Sequence, residues 1–130
     1  MVVVSPDLVH SHLIGPHLRK AFRMLEEDVG VQTYLQMANT MAVSRLRYND
    51  HGPIHSSIVA GSSLEIFRIL TDRIEPTTIK GGMGIEEARL IVLCGAYLHD
   101  VGNAVHRTAH HIHGCNIAGP VLDTILPQIY

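Results

Sequence analysis

The sequence predicts an all-α fold: a bundle of about five to six helices in one domain over residues 1–130, with N-terminal helices in 1–47 and a motif-bearing part at about 48–126. Three observations carry that prediction. Apolar residues recur at steps of three and four, glycines and prolines fall between the apolar stretches, and strand-like alternation is found only weakly, in the first four residues. A chain of this length buries roughly two thirds of its unfolded surface, enough for a real core.

Pro16 to about Asp28 reads as a helix with Leu18, Phe22 and Leu25 on one side and Arg19, Lys20, Arg23 and Glu26 on the other, ended by Gly30. Val31 to Leu46 reads as a second, with Leu35, Ala38, Met41, Ala42 and Arg45 at helical spacing. Arg45 and Arg47 complement the dipole of its last turn or, alternatively, contact a phosphate. Tyr48-Asn49-Asp50-His51-Gly52 is turn-rich, and Pro53 suits the first position of the helix it opens. On that helix His55, Ile58, Val59, Ser62, Ile66, Ile69 and Leu70 share a face, which puts His55 on the core side.

Ile74 to Gly84 reads as a loop, a flexible connection or a lid; its GGxG has no strand before it and is no phosphate-binding fingerprint. Ile85-Glu86-Glu87 opens the next helix with acids in the first turn. The uncharged run from Leu90 to Leu98 predicts burial on all sides, Gly95 and Ala96 permit a close neighbour, and Gly102 ends the helix. Asn116 is the expected cap of a last helix whose apolar stripe is Ile117, Val121, Leu122, Ile125, Leu126 and Ile129, with Asp123 opposite.

Ten Lys and Arg against twelve Asp and Glu, without a basic block, argue against a nucleic-acid surface. No run approaches the roughly 20 apolar residues of a membrane span. Met1 to Asp7 lacks a basic leader and breaks at Pro6, so the expected setting is soluble and cytoplasmic. Cys94 and Cys115 have no CxxC spacing and read as reduced core thiols. Ten histidines are the compositional anomaly.

The chemistry concentrates at Leu98-His99-Asp100-Val101-Gly102. An imidazole and a carboxylate delivered side by side from an apolar helix end need partners, because an unpaired buried polar group costs roughly 1 to 3 kcal/mol. A divalent cation satisfies both; a structural His99–Asp100 hydrogen bond is the alternative. His55 supplies an imidazole from an earlier helix. Further on, His106-Arg107-Thr108-Ala109-His110-His111-Ile112-His113-Gly114 is either a solvated face or a second group of ligands. In a helical reading His110 shares a face with His106 and with His113.

Together these residues resemble the HD-domain metal-dependent phosphohydrolase family. That family's pattern is a first His at the start of a helix, a His-Asp doublet at the end of a later one, and a distal Asp further on. His55-Ser56-Ser57-Ile58-Val59-Ala60 is similar to the first-His segment and Leu98-His99-Asp100-Val101-Gly102-Asn103 to the doublet. Tyr48-Asn49-Asp50-His51 is similar to the run before the first ligand in cyclic-nucleotide phosphodiesterase members, and His110-His111-Ile112-His113-Gly114 to the downstream His segment of two-metal members.

The resemblance implies a divalent ion (Mn, Fe, Co, Ni, Zn or Mg) held by His55, His99, Asp100 and His110, with His113 as a second-metal or phosphate ligand. It implies catalytic roles for His51, Asp100 and Arg107, the first and last as donors to a leaving or phosphate oxygen. The implied reaction is metal-activated water attack on a phosphate mono- or diester of nucleotide type. The pattern's distal Asp has no counterpart, since Asp123 falls on the polar face. The chain therefore reads as an N-terminal portion of such a domain, as a site completed by water, a histidine or another chain, or as a degenerate metal- or nucleotide-binding module. One helix fewer than the usual bundle leaves apolar surface for homo-oligomerisation.

Overall fold

The computed structural model describes residues 1–130, all of them helical or in connections, with no strand. The helices are α1 (Leu8–Ser11), α2 (Pro16–Glu27), α3 (Val29–Asn39), α4 (Pro53–Thr71), α5 (Thr77–Lys80), α6 (Ile85–Leu98) and α7 (His110–Ile129). A π-helical turn, Thr40–Arg45, prolongs α3, and a 3-10 turn, Val101–Ala104, follows α6. Helix α6 is central, packed against α4, α2 and α5, while α3 and α7 close over the 3-10 turn. The core joins Val9, Leu18, Leu25, Leu35, Leu64, Leu93, Tyr97 and Ile125, each at most 2% exposed.

Helix α2 is held to α6 by a tertiary cap. Glu86 Oε1 accepts the main-chain N–H of His17 (2.9 Å) and of Leu18 (3.4 Å), two of the donors that an α-helix leaves free at its start. Gly15, at φ +99°, makes this approach possible, since a Cβ there would occupy the place of the Glu86 carboxylate. Tyr97 is fully buried, and its hydroxyl donates to Glu26 while accepting from Gln32 Nε2 at 3.0 Å. Burial, reinforced by Glu26, pushes its phenol up. Cys94 is the reduced core thiol expected, with burial raising it to about 11. Cys115 is exposed instead, on the outer side of α7.

Several sequence expectations are corrected. Asp28, not Gly30, separates α2 from α3: its Oδ1 accepts the Val31 N–H at 2.8 Å, and Gly30 lies in the first turn of α3. The buried side of α4 is Ser56, Ser57, Ala60, Gly61 and Leu64, whereas Ile66, Ile69 and Leu70 are more than half exposed. Close packing decides this, for a Cβ on Gly61 would stand 2.6 Å from the Val9 nitrogen. Helix α6 is not buried on all sides: Ile91 is 57% exposed and, with Leu90 and Gly95, borders an apolar groove against Leu122, Leu126 and Tyr130.

Residues 74–84 contain the single turn α5 rather than loop alone, and the first four residues are irregular and exposed. The last helix begins at His110, six residues before the expected cap Asn116, and runs through Pro120 and Pro127. Its stripe of Ile117, Val121, Leu122, Ile125, Leu126 and Ile129 packs on the core as predicted, and Asp123 is exposed.

Candidate metal centre

Helix α6 carries the doublet out of the core at its C-terminal end. His99 caps the helix, and its Nδ1 lies 2.7 Å from the Ala96 carbonyl. Asp100 comes next and is 3% exposed. Gly102 lets the following turn pass beneath the first turn of α7; a Cβ there would collide with the His110 carbonyl oxygen. Helix α4 starts at Pro53 and brings His55 to the same place, and the residues before it bring His51, whose main-chain N–H is held by Asn39 Oδ1 at 3.0 Å.

Four imidazoles converge on the Asp100 carboxylate. The Nε2 atoms of His99, His55 and His51 stand 3.0, 3.3 and 3.8 Å from Oδ2, and that of His110 stands 3.8 Å from Oδ1. In three of them the other ring nitrogen faces a main-chain carbonyl: Ala96 for His99, Asn49 for His51, Arg107 for His110. A carbonyl only accepts, so Nδ1 carries a proton; Nε2 then coordinates when the ring is neutral and donates to Asp100 when, as the carboxylate favours at His99, the ring is protonated. This is the back-side hydrogen bonding that fixes ring and tautomer in metal sites. His51 stacks on His55 (centroids 5.2 Å apart) and His55 inclines to His99 (5.3 Å).

The ligand atoms of His55, His99 and Asp100 lie within 4.8 Å of one another, a spacing one ion spans. Two imidazoles and a carboxylate form a mixed N/O donor set suited to borderline divalent metals. Asp100 is buried, His55 half-buried and His99 exposed, so the centre opens to solvent on one side. Its electrostatics agree with its packing. Burial pushes the Asp100 carboxyl up, but the hydrogen bond from His99 and the charges of His99, His51 and His55 outweigh it and hold the group below its usual range. The bond to Asp100 raises His99, and desolvation lowers His55.

Of the residues singled out in the sequence, His51, His55, His99, Asp100 and His110 are brought together. Arg107 stands beside them, linked through Asn103: its Nη1 donates to Asn103 Oδ1 at 3.3 Å, and its guanidinium lies over the Tyr48 ring, 5.3 Å from the centroid. His113 is not among the imidazoles at the carboxylate. His106 precedes α7, so it shares no helical face with His110; its Nδ1 accepts the Thr108 N–H at 2.9 Å. Sequence reasoning missed Asn39 and Asn103 as supports of the centre, having no spacing rule by which an amide advertises such a role. Ala109, at φ +57°, lies next to His110 and Arg47, at φ +56°, next to Tyr48; they are the non-glycine residues with left-handed backbone.

The chain is similar to an uncharacterized protein of Methanocaldococcus jannaschii, 46% identical over 102 residues. The match covers 77% of this chain and 39% of the relative, so the chain spans well under half of that protein's length. No family model matches the chain, and no solved structure matches it.

Proposed function

We propose that this chain carries a divalent metal centre formed by His55, His99 and Asp100 and that it serves a metal-dependent phosphohydrolase acting on a phosphate mono- or diester of nucleotide type. The observation that carries the reading is the convergence of four Nε2 atoms on one buried carboxylate, three of them with Nδ1 held by a carbonyl. Without an ion, His51 and His110 at 3.8 Å are too distant for a hydrogen bond and gain little from their aim. A bound divalent ion supplies Lewis acidity toward a phosphoryl oxygen and makes water a nucleophile near neutral pH.

The chain's own residues supply the rest. His55, His99 and Asp100 would hold the ion at the side of the centre that opens to solvent, and His51 and His110 stand beside them as further ligands or as proton donors to substrate oxygens. Arg107 is held by Asn103 but has no carboxylate partner within salt-bridge distance, so its positive charge stands without a counter-ion beside the four imidazoles. That balance favours an anionic ligand.

Asp123 is exposed on α7, and His55, His99 and Asp100 form a cluster with a single carboxylate. This favours a second reading, a metal- or nucleotide-binding module without turnover. Metal analysis of protein purified without a His tag tests what the two share: about one divalent ion per chain is expected, lost in His55→Ala. Absence of metal, with His55→Ala no different from the parent in titrations with Mn or Ni, overturns both. Phosphate release from a nucleotide panel with Mn or Ni then separates them, since the module stays inactive across it.

A further inference from the structure

Asn103 is a polar residue at the centre that the metal reading leaves without a role, and it is fully enclosed, 0% exposed. Its amide is engaged at both ends. Nδ2 donates to the Asp100 carboxylate (Oδ1, 3.1 Å) and to the Asp100 main-chain carbonyl (3.2 Å), while Oδ1 accepts from Arg107. The reverse orientation would set NH2 donors against a guanidinium and an oxygen against two oxygens, so the network fixes which end faces which partner. Arg107 is then held from two directions, by Asn103 at its edge and by Tyr48 across its face. Its other donors have no protein partner in the structure. A half-buried guanidinium with fixed orientation, unengaged donors and no counter-ion is built to take an oxyanion in bidentate fashion.

We propose that Arg107 and Tyr48 form an oxyanion subsite for the ligand of the metal centre, and that Asn103 is the positioning residue that ties this subsite to Asp100. The inference rests on the metal reading above and adds to it a division of labour. Asp100, which would hold the ion together with His55 and His99, takes the Asn103 amide on Oδ1, and that amide sets where the guanidinium points. Ion and anion binding are thereby coupled through one buried side chain.

Calorimetric titrations of the parent chain with Mn2+ alone, and then with inorganic phosphate in the presence and absence of Mn2+, test it. Arg107→Gln is expected to weaken phosphate binding about tenfold and leave Mn2+ affinity within about twofold; Tyr48→Leu has the same sign and a smaller effect. Asn103→Leu, close in volume but unable to hydrogen-bond, is expected to weaken both ligands about tenfold. Combining it with Arg107→Gln adds little further loss for phosphate, because the arginine is already unanchored. A parent that takes up no Mn2+ overturns the metal reading and the coupling with it. A parent that takes up Mn2+ but binds phosphate no better than Arg107→Gln overturns the inference alone, a result that holds even if Asn103→Leu fails to fold. Strictly additive losses in the double variant overturn the positioning role of Asn103.

Discussion

Histidine meets carboxylate in two regions of this molecule, with different consequences. Away from the metal centre, His12 pairs with Glu65 at 2.9 Å and His17 with Glu86 at 3.3 Å. In both, one imidazole meets one acid that is already occupied. Glu65 takes Arg68 Nε at 3.1 Å and Nη2 at 2.8 Å, and Glu86 caps α2. At the centre the ratio is inverted: four imidazoles face Asp100, whose protein donors besides His99 reduce to the single amide of Asn103. The first arrangement staples helices together. The second leaves coordinating nitrogens in excess of what a carboxylate can use, which is the composition a cation requires. What separates a structural His–Asp contact from a candidate site is therefore how many rings share the acid and what holds the far side of each ring.

The largest expected effect breaks the comparison if it fails. Asp100→Ala should lower metal affinity by more than about 100-fold, whereas His12→Ala and His17→Ala should leave it within about twofold. Titration with Mn or Ni, followed by calorimetry, measures all three. Comparable losses in His12→Ala would show that the two regions are not separate. The converse belongs to stability. Glu86→Ala removes the acceptor for two helix-start N–H groups and should cost about 1 to 2 kcal/mol in urea unfolding, with metal affinity retained. Gly15→Ala, strained at φ +99° and colliding with the same carboxylate, should destabilise by a similar amount of about 1 to 3 kcal/mol. A Gly15→Ala protein as stable as the parent would remove the tertiary cap from the account of α2.

The same contrast explains how far the sequence could be read. Helix α6 and the doublet at its end are legible because an uncharged run that stops at His99-Asp100 delivers two polar groups that must pair with a cation or with each other, and Pro53 marks the start of the helix that bears His55. Hydropathy fails on α4, where contact distance rather than apolarity selects the inward face: Gly61 and Ala60 lie inside while Ile66 and Ile69 lie outside. It fails again at α7, whose start at His110 follows a left-handed Ala109 that no propensity suggests. The structural histidines His12 and His17 pass unnoticed because their acids lie 53 and 69 residues away in the chain, at Glu65 and Glu86. Asn103 was visible in the motif but without a task, since its two partners are defined only once the 3-10 turn brings Arg107 over Tyr48.

The smallest effect sharpens the contrast from the acid side. The hydrogen bond from Arg68, with the charges of Arg68 and His12, outweighs the opposing effect of burial and holds the Glu65 carboxyl below its usual value of 4.5. A folded-state value below the unfolded one means that the ionised form is favoured by folding, so this contribution is present above 4.5 and disappears as pH falls through the folded value. Glu65→Gln keeps the shape and removes the charge. Its melting temperature should lie slightly below the parent's at neutral pH and converge on it as the solution is acidified from 4.5 down through the folded value. The pair is partly solvated, so the gap is that of a surface ion pair and shrinks with added salt. A gap independent of pH would mean that the His12–Glu65–Arg68 group holds α1 to α4 by shape alone, and the staple would then owe nothing to the charge that distinguishes it from the metal centre.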